Sequence, residues 1–367
     1  MRPTWAEIDL EVISKNTSIF FDLLDESVEL CAVVKADGYG HGAVEVAKQV
    51  LKSGATWLAV AFVEEAAALR DEGVEAPILI LSEPRPNEME EDVRLGGVRP
   101  AIYTKVGVDA FSEVAEEGIP VHLKVDTGMH RVGVRPNKIV DLANYISESG
   151  LQLEGVFTHF AVASIPSDPF NRKQIELFDQ VLESLAEEGH NPKIVHQANT
   201  AATLEWPETH RSMVRVGIGL YGTEPSKFFS ERFNNLGLKP AVWLRSEVSH
   251  LQTVESGEGV GYGHRWKADK RTQIATIPIG YADGFSRTLG NGIGRVFING
   301  VLVPTVGNIC MDMSFIDLSN IDAKIGDKVE IFGANNSIKE IAKSINTIPY
   351  EILSSISQRV VRIYEKE

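Results

Sequence analysis

Eight short apolar runs recur along the first part of the chain, and they constrain its fold more than any other feature. Several are near-continuous apolar runs without alternation, as expected for strands that are buried on both faces. Amphipathic segments of helical periodicity that end in glycine, such as HGAVEVAKQVLKSG, separate most of them. Eight strands that alternate with helices predict a (β/α)8 TIM barrel. The runs cover residues 28–36, 57–62, 77–82, 98–104, 121–127, 153–161, 193–200 and 213–222.

A doubly wound open sheet is the structural alternative to a barrel. Such a sheet has fewer strands, and it usually carries a phosphate-binding GxGxxG motif after the first one. No such motif follows the first apolar run of this chain. We therefore expect the barrel, and we expect it to cover residues 1–235.

The pattern changes after about residue 235, where helical periodicity gives way to a series of predicted strands. Asn299-Gly300 lies between two apolar runs, and this pair is typical of a tight hairpin because both turn residues need a positive φ. One helical stretch, NSIKEIAKSIN, lies among the later strands. We therefore expect a second, mainly-β domain over residues 236–367.

The composition excludes some classes of partner. The chain has 36 Lys and Arg residues against 51 Asp and Glu, a formal charge of −15. This charge disfavours nucleic acid and anionic membranes, although a local pocket can still be positive. No apolar stretch is long enough to span a bilayer, and acidic residues near the N-terminus do not fit a signal peptide. The two cysteines, Cys31 and Cys310, make neither a disulfide framework nor a zinc site. We expect a cytoplasmic protein without a metal.

Polar residues gather where the predicted barrel strands end. Barrel enzymes place catalysis at the carboxyl ends of their strands and often hold phosphate after the last two. Each polar residue alone is weak support, but their convergence on one face predicts an active site there. In chain order these residues are Lys35, Tyr39, Arg131, His159, Asn199, Thr200, Arg215, Gly217 and Ile218.

Lys35 ends an apolar strand within AVVKADGYGHG and has two interpretations. A lysine at the rim of a barrel can extend its amine into water. A desolvated, neutral lysine is instead what a Schiff base requires. The glycines at 38, 40 and 42 favour a functional lysine, because they let the backbone approach a ligand closely.

These residues carry a resemblance to the alanine racemases, which runs the length of the chain. VVKADGYGHG is similar to the cofactor-lysine motif of that family. The other similar segments follow in order: KVDTGMHRVG (124–133), THFA (158–161), QANTAAT (197–203), VRVGIGLYG (214–222), GVGYGHRW (259–266), GYADGFSR (280–287), VGNICMDM (306–313) and PYEI (349–352).

The resemblance implies a pyridoxal 5′-phosphate enzyme in which Lys35 forms the Schiff base with the cofactor. It implies that Arg215 lies at the pyridine nitrogen and that Asn199 lies in the cofactor site. The family commonly has Ser where this chain has Thr200, and the hydroxyl is kept. The implied phosphate ligands are Tyr39, Thr200, the amides of Gly217 and Ile218, and Tyr350.

Arg215 bears on the choice of reaction. A simple ion pair at the rim is the ordinary alternative, but the apolar neighbours in MVRVGIG argue for a dedicated partner. An arginine keeps its protons at physiological pH, so the ring nitrogen stays unprotonated and the ring is a weaker electron sink. A short-lived carbanion is then reprotonated at Cα, which favours racemisation over decarboxylation.

Racemisation needs a base on each face of a planar carbanion. By the resemblance Lys35 serves one face, and Tyr262 from the second subunit of a homodimer serves the other. Tyrosine is a weak base at neutral pH and needs cationic neighbours. His159 resembles the residue that links this tyrosine to the ring-nitrogen arginine, although a buried structural histidine is the alternative. Arg131 and the backbone amide of Met311, again from the partner chain, would bind the substrate.

Four further positions matter by the same resemblance. Lys124 occupies the place of a carbamylated lysine that orients Arg131, with a plain rim lysine as the alternative. Tyr281 and Arg287 resemble residues of the substrate entrance. Ser164 departs from the family, because many relatives carry Asp there, so the electrostatics of the entrance are in doubt.

Several other functions compete with an alanine racemase that supplies D-alanine for peptidoglycan. They are a racemase of different substrate range, a decarboxylase of basic amino acids, a barrel that stores the cofactor, and a sugar-phosphate enzyme without it. Arg215 and Tyr262 speak against the decarboxylase. The β-rich second half speaks against the storage protein, and a visible cofactor absorbance would exclude the sugar-phosphate enzyme.

Overall fold

The computed structural model describes residues 2–365, which fall into two compact units. Glu11–Gly38 and Ala43–Lys239 form the barrel unit. The residues up to Leu10, the segment Tyr39–Gly42 and the residues from Pro240 onward form the β unit. The chain thus passes from Lys239 to Pro240 at the second boundary, close to the change of pattern expected near residue 235.

The eight predicted barrel strands are present and pair in parallel in the order β8-β7-β6-β5-β4-β3-β2-β9, which confirms the predicted fold class. The bridge between Asn199 and Arg215 joins the end of β8 to β9, so that the barrel is nearly closed. After β1 (Thr4–Asp9), which belongs to the β unit, the barrel strands are β2 (Glu29–Val33), β3 (Trp57–Val60), β4 (Ile78–Ile80), β5 (Val98–Ile102), β6 (Pro120–Lys124), β7 (Gln152–Phe157), β8 (Ile194–His196) and β9 (Met213–Val216).

Helices follow most of the barrel strands and cover them with an apolar face. In α8 the buried residues Ile175, Phe178, Val181 and Leu185 recur every three or four positions, so one stripe of the helix packs on the core. No helix within residues 2–365 has the length and apolar character that crossing a membrane requires. The first ten helices are α1 (Leu10–Asp22), α2 (Lys35–Tyr39), α3 (Ala43–Lys52), α4 (Val63–Asp71), α5 (Met89–Leu95), α6 (Lys105–Ser112), α7 (Ile139–Glu148), α8 (Phe170–Glu187), α9 (Thr200–Glu205) and α10 (Ser230–Leu236).

The β unit is built on a sheet of nine strands in the order β11-β14-β17-β16-β15-β18-β10-β1-β19. The predicted hairpin joins β15 to β16, and both turn residues have a positive φ, 46° at Asn299 and 85° at Gly300. The remaining elements are β10 (Val242–Glu247), β11 (His250–Val254), β12 (Gly259–Val260), β13 (Trp266–Lys267), β14 (Thr272–Ile277), β15 (Arg295–Ile298), β16 (Val301–Val306), β17 (Ser314–Asp317), β18 (Lys328–Phe332), α11 (Ile338–Ser344), α12 (Pro349–Ser354) and β19 (Val361–Glu365).

The N-terminal strand lies where the sequence pattern did not place it. We expected residues 1–235 to form the barrel, but β1 pairs antiparallel with β10 and parallel with β19. The physical reason is that β1 is hydrogen-bonded on both edges, by β10 and by β19, and that its alternate residues, such as Ala6 and Ile8, are buried. Both partner strands come from the last third of the chain, so no local pattern marks this pairing.

Candidate active site

Four of the predicted residues lie at the carboxyl ends of barrel strands, which share one rim of a parallel barrel. Lys35 begins the turn after β2, and Lys124 is the last residue of β6. His159 follows β7, and Arg215 lies within β9. Arg215 is 3% exposed and Lys124 is 5% exposed, so both cationic side chains are buried.

Arg215 is held by hydrogen bonds from two sides of its guanidinium group. Nη1 donates to Nδ1 of His196 at 2.8 Å. Nη2 donates to the carbonyl oxygen of Thr158 at 2.8 Å and lies 3.2 Å from Nδ1 of His159. The group also stacks over the Phe157 ring, 5.3 Å from its centroid. These contacts fix the position of a buried charge, in keeping with the dedicated role expected for Arg215.

The basic side chains of this rim lower one another's pKa values. Burial lowers the pKa of Lys35, and the neighbouring Arg131 lowers it further. Burial, Arg215 and Arg131 together lower the pKa of Lys124 to about 7. Burial and the same cations push the pKa of His159 well below its usual value. A site in which so many basic groups are clustered suits an anionic ligand.

The turn after Lys35 is a left-handed helical turn. Ala36, Asp37 and Tyr39 have φ values between 52° and 53°, although none of them is glycine. Oε1 of Glu65 accepts a hydrogen bond from the Ala36 amide at 2.6 Å, and Oε2 accepts one from the Ala61 amide at 2.7 Å. Glu65 thereby connects the turn after β2 to the loop after β3 and offsets the strain, on the order of 1–2 kcal/mol per residue.

Asn199 and Thr200 organise the loops after β8 and β9. Oδ1 of Asn199 caps α9 by accepting a hydrogen bond from the Ala202 amide at 3.1 Å. Oγ1 of Thr200 accepts a hydrogen bond from the Gly217 amide at 3.1 Å, which brings the hydroxyl next to the turn that holds the buried Ile218. The hydroxyl and the amides expected to bind phosphate are therefore neighbours.

The remaining predicted residues lie in the β unit. The rings of Tyr39 and Tyr350 are 6.2 Å apart, and burial raises the pKa of both phenols, to about 12 for Tyr350. Both phenols therefore stay protonated at neutral pH and can donate hydrogen bonds. Tyr262 is 73% exposed and Met311 is 52% exposed.

The three residues expected near the substrate entrance differ in their surroundings. Tyr281 and Arg287 are exposed in the β unit. Ser164 is half-buried in the barrel unit, where its carbonyl oxygen accepts a hydrogen bond from the Ser226 hydroxyl at 2.5 Å.

Sequence reasoning missed the histidines behind Arg215. His122 and His196 are fully buried inside the barrel strands β6 and β8, and Glu154 on β7 contacts His122. A signal was available, because a histidine interrupts the apolar runs VHLKV and KIVHQ. His122, however, lies in the middle of β6, and His196 ends β8 as a fully buried side chain, so neither stands out as a residue of the barrel rim.

The two halves of the chain match two known family models in succession. Residues 8–225 match the model described as alanine racemase, N-terminal domain, and residues 241–364 match alanine racemase, C-terminal domain. The chain is 40% identical to the alanine racemase of Clostridium tetani, over all of this chain and 96% of that protein. It is 38% identical to alanine racemase 2 of Oceanobacillus iheyensis, over all of this chain and 94% of that protein.

Solved structures show the same likeness. The alanine racemase of Clostridium difficile 630 superposes with a TM-score of 0.93 at 38% identity, over all of this chain and 96% of that one. The alanine racemase of Bacillus anthracis with bound L-Ala-P gives a TM-score of 0.93 at 36% identity, with the same coverage.

Proposed function

The chain belongs to the alanine racemase family, and from this premise we propose that it interconverts L-alanine and D-alanine with pyridoxal 5′-phosphate and two bases. The observation that carries the proposal is the convergence of Lys35, Lys124, Arg131 and Arg215 with His159 at one rim of the barrel, where the basic groups lower one another's pKa. The product role is the supply of D-alanine for peptidoglycan.

The residues present fit the cofactor. The cationic rim matches an anionic ligand, and a lysine with a lowered pKa is more often neutral, as a covalent attachment to an aldehyde requires. When bound there, pyridoxal phosphate supplies the electron sink that makes the α-proton of alanine acidic. We assign the covalent attachment to Lys35. The phosphate ligands would be Thr200, the amides of Gly217 and Ile218, and the phenols of Tyr39 and Tyr350.

Arg215 would face the pyridine nitrogen and keep that nitrogen unprotonated. Burial lowers the pKa of Arg215 to about 10, but the guanidinium still holds its protons at neutral pH. A site of this kind limits the lifetime of negative charge at Cα, so that reprotonation follows quickly. Racemisation is therefore favoured over reactions that need a long-lived carbanion.

Two residues would exchange the α-proton, one from each face. Lys35 would take or return it on one face with its free amine. The partner subunit's Tyr262 would act on the opposite face, with His159 linking it to Arg215. The substrate carboxylate would be bound by Arg131 and by the backbone amide of the partner subunit's Met311.

Lys124 would carry a carbamate. Its buried amine has a pKa of about 7, so a large fraction is neutral at physiological pH and can attack carbon dioxide. The attack forms an N–C bond and releases one proton, leaving an anion beside Arg131. Growth in 13C-bicarbonate should give a carbamate carbon resonance that is absent from Lys124→Arg. An identical resonance in that variant would remove the assignment.

Incubation of the purified protein with L-alanine and the cofactor, followed by chiral chromatography, tests the function. We expect D-alanine to accumulate until the two enantiomers are equal. Loss of carbon dioxide from the substrate would indicate a decarboxylase. Equal activity on lysine or arginine would contradict the small substrate pocket that we expect Tyr350 and Met311 to close. Complementation of a bacterial strain that requires D-alanine tests the biological role.

A further inference from the structure

We propose that Glu154 and His122 are positioning residues that fix the proton of His196 on Nε2, so that His196 can accept a hydrogen bond from Arg215. The part of this proposal that concerns the chemistry rests on the proposed function. The part that concerns the tautomer of His196 does not.

The four side chains form one continuous file of hydrogen bonds through the barrel interior. Nη1 of Arg215 lies 2.8 Å from Nδ1 of His196. Nε2 of His196 lies 2.9 Å from Nδ1 of His122. Nε2 of His122 lies 3.3 Å from Oε2 of Glu154. Both histidines are fully buried, so water does not compete for these bonds.

The direction of every bond in the file follows from its two ends. The guanidinium of Arg215 can only donate, so Nδ1 of His196 must accept and its proton must lie on Nε2. That proton is donated to Nδ1 of His122, whose own proton must then lie on Nε2 and point at Glu154. An ionised carboxylate can only accept. The file is therefore satisfied in a single arrangement, with every donor directed towards Glu154.

The acceptor end of the file is kept ionised. Nε of Arg99 donates to the same Oε2 of Glu154 at 2.9 Å. Burial works against ionisation of this carboxyl, but the hydrogen bonds from His122 and Arg99 outweigh it and lower its pKa to about 2. Burial also lowers the pKa of His122, and it lowers that of His196 well below its usual range. Both rings therefore stay neutral, and their tautomers are the only remaining freedom.

Removal of the Glu154 carboxylate lets the two histidines change tautomer. With alanine at position 154, His122 loses the partner that holds its proton on Nε2. If His122 moves its proton to Nδ1, His196 must do the same, and an N–H of His196 then faces an N–H of Arg215. Two opposed donors in a buried site cost free energy, so Arg215 would leave its present position. Glu154 thus acts on Arg215 through two rings, without touching it.

Nitrogen NMR of protein labelled with 15N-histidine, without added cofactor, tests the tautomer directly. In the wild type we expect His196 to carry its proton on Nε2, with the resonance assigned by its loss in His196→Gln. In Glu154→Ala we expect a large fraction of Nδ1–H. In Glu154→Gln we expect the wild-type tautomer, because the amide oxygen can accept from both His122 and Arg99.

A double variant and a matched control separate this effect from simple loss of an ion pair. In Glu154→Ala with His122→Asn, the Asn oxygen takes the place of Nδ1 and should return His196 to Nε2–H. Glu7→Ala removes another carboxylate–arginine pair, that of Glu7 with Arg245. The Glu7 side chain is 18% exposed, against 17% for Glu154. This control should lose stability and leave His196 unchanged. An unchanged His196 in Glu154→Ala, or no return in the double variant, would overturn the proposal.

The effect on catalysis is measured separately from the tautomer of His196. If the file positions Arg215, kcat for racemisation in Glu154→Ala should fall roughly tenfold to a hundredfold and recover in Glu154→Gln. A shifted tautomer with unchanged kcat would overturn the link to catalysis. Wild-type protein that does not racemise alanine would overturn the proposed function, while the tautomer result would still stand or fall by itself.

Discussion

In the barrel unit several of the predicted functional side chains, among them Lys124, Thr200 and Arg215, are buried, whereas in the β unit Tyr262 and Met311 are exposed. Arg215 has fixed partners within its own unit, and the Gly217 amide donates to Thr200. Tyr262 and Met311 are more than half exposed. A buried site can be preorganised by a single chain, but an exposed base takes its surroundings from whatever binds it. The contrast supports a site completed by a second copy of the chain.

The largest expected effect is that of Lys35→Ala, which tests the barrel side of this contrast. Because we propose that the amine serves both as cofactor attachment and as base, we expect racemisation to fall by roughly 10³-fold or more. Chiral chromatography measures this fall, and circular dichroism checks that the fold is retained. Borohydride reduction of the wild-type holoenzyme should place the pyridoxyl group on Lys35. Label on another lysine would contradict the assignment.

A mixed dimer tests the proposed role of Tyr262 in the β unit. Lys35→Ala and Tyr262→Ala should each be nearly inactive as homodimers. If each subunit donates its tyrosine to the other, one site of a mixed dimer collects both defects and the other collects neither. Random re-pairing in equal amounts should restore about a quarter of all sites. No recovery, with mixed dimers verified by mass spectrometry, would mean that Tyr262 serves its own subunit or none.

Asp92 is a buried carboxyl of the barrel unit that lacks hydrogen-bond partners. Neither carboxylate oxygen has a hydrogen-bond partner among residues 2–365, and burial raises its pKa to about 7. A raised carboxyl pKa means that the folded state binds the proton more tightly, so the contribution of Asp92 to stability is greatest below about pH 4 and falls as the pH rises to about 7. Asp92→Asn should remove this cost and add about 2–4 kcal/mol to the free energy of unfolding at pH 8.

Urea unfolding at pH 4, 6 and 8 measures the effect, and Glu91→Gln on the same helix is the exposed control. The gain from Asp92→Asn should shrink towards zero at pH 4, where the wild-type carboxyl is already neutral. A gain that is equal at all three pH values would show that Asp92 does not titrate as the structure implies.

The smallest expected effect is on the hairpin of the β unit. In Asn299→Ala an alanine must adopt the positive φ, and the side-chain hydrogen bonds to Asp322 and Asp327 are lost. We therefore expect the free energy of unfolding to fall by about 1–2 kcal/mol. Asn299→Gly keeps the φ and loses only the hydrogen bonds, which separates the two causes. Thermal unfolding measures both variants, and equal losses would assign the whole effect to the hydrogen bonds.

The barrel could be predicted because each of its strands lies in a local run of apolar residues. Each of the eight apolar runs overlaps one observed strand, and the hairpin at Asn299 follows from the dipeptide alone. The strand β1 was not predictable, because both of its partners lie more than 200 residues away.

The candidate site divides in the same way. Strand-end residues such as Lys35 and Arg215 were found because the barrel fold itself says where to look. The left-handed turn after Lys35 was not foreseen, because its sequence shows glycines but not the Glu65 carboxylate that holds the turn. His122, His196 and Glu154 were missed because a hydrogen-bond file across three strands has no spacing that can be recognised along one of them.

The pairing of β1 with β10 and β19 also sets an order of events during synthesis on the ribosome. At about 5–20 residues per second, β1 waits on the order of 10–50 s between its own emergence and that of Val242. During this interval the whole barrel sequence is made, and an alternating apolar strand stays unpaired at the N-terminus. A nascent chain therefore exposes an unpaired strand edge for longer than either unit takes to be translated alone, and residues 4–9 are a target for chaperones that bind short extended segments.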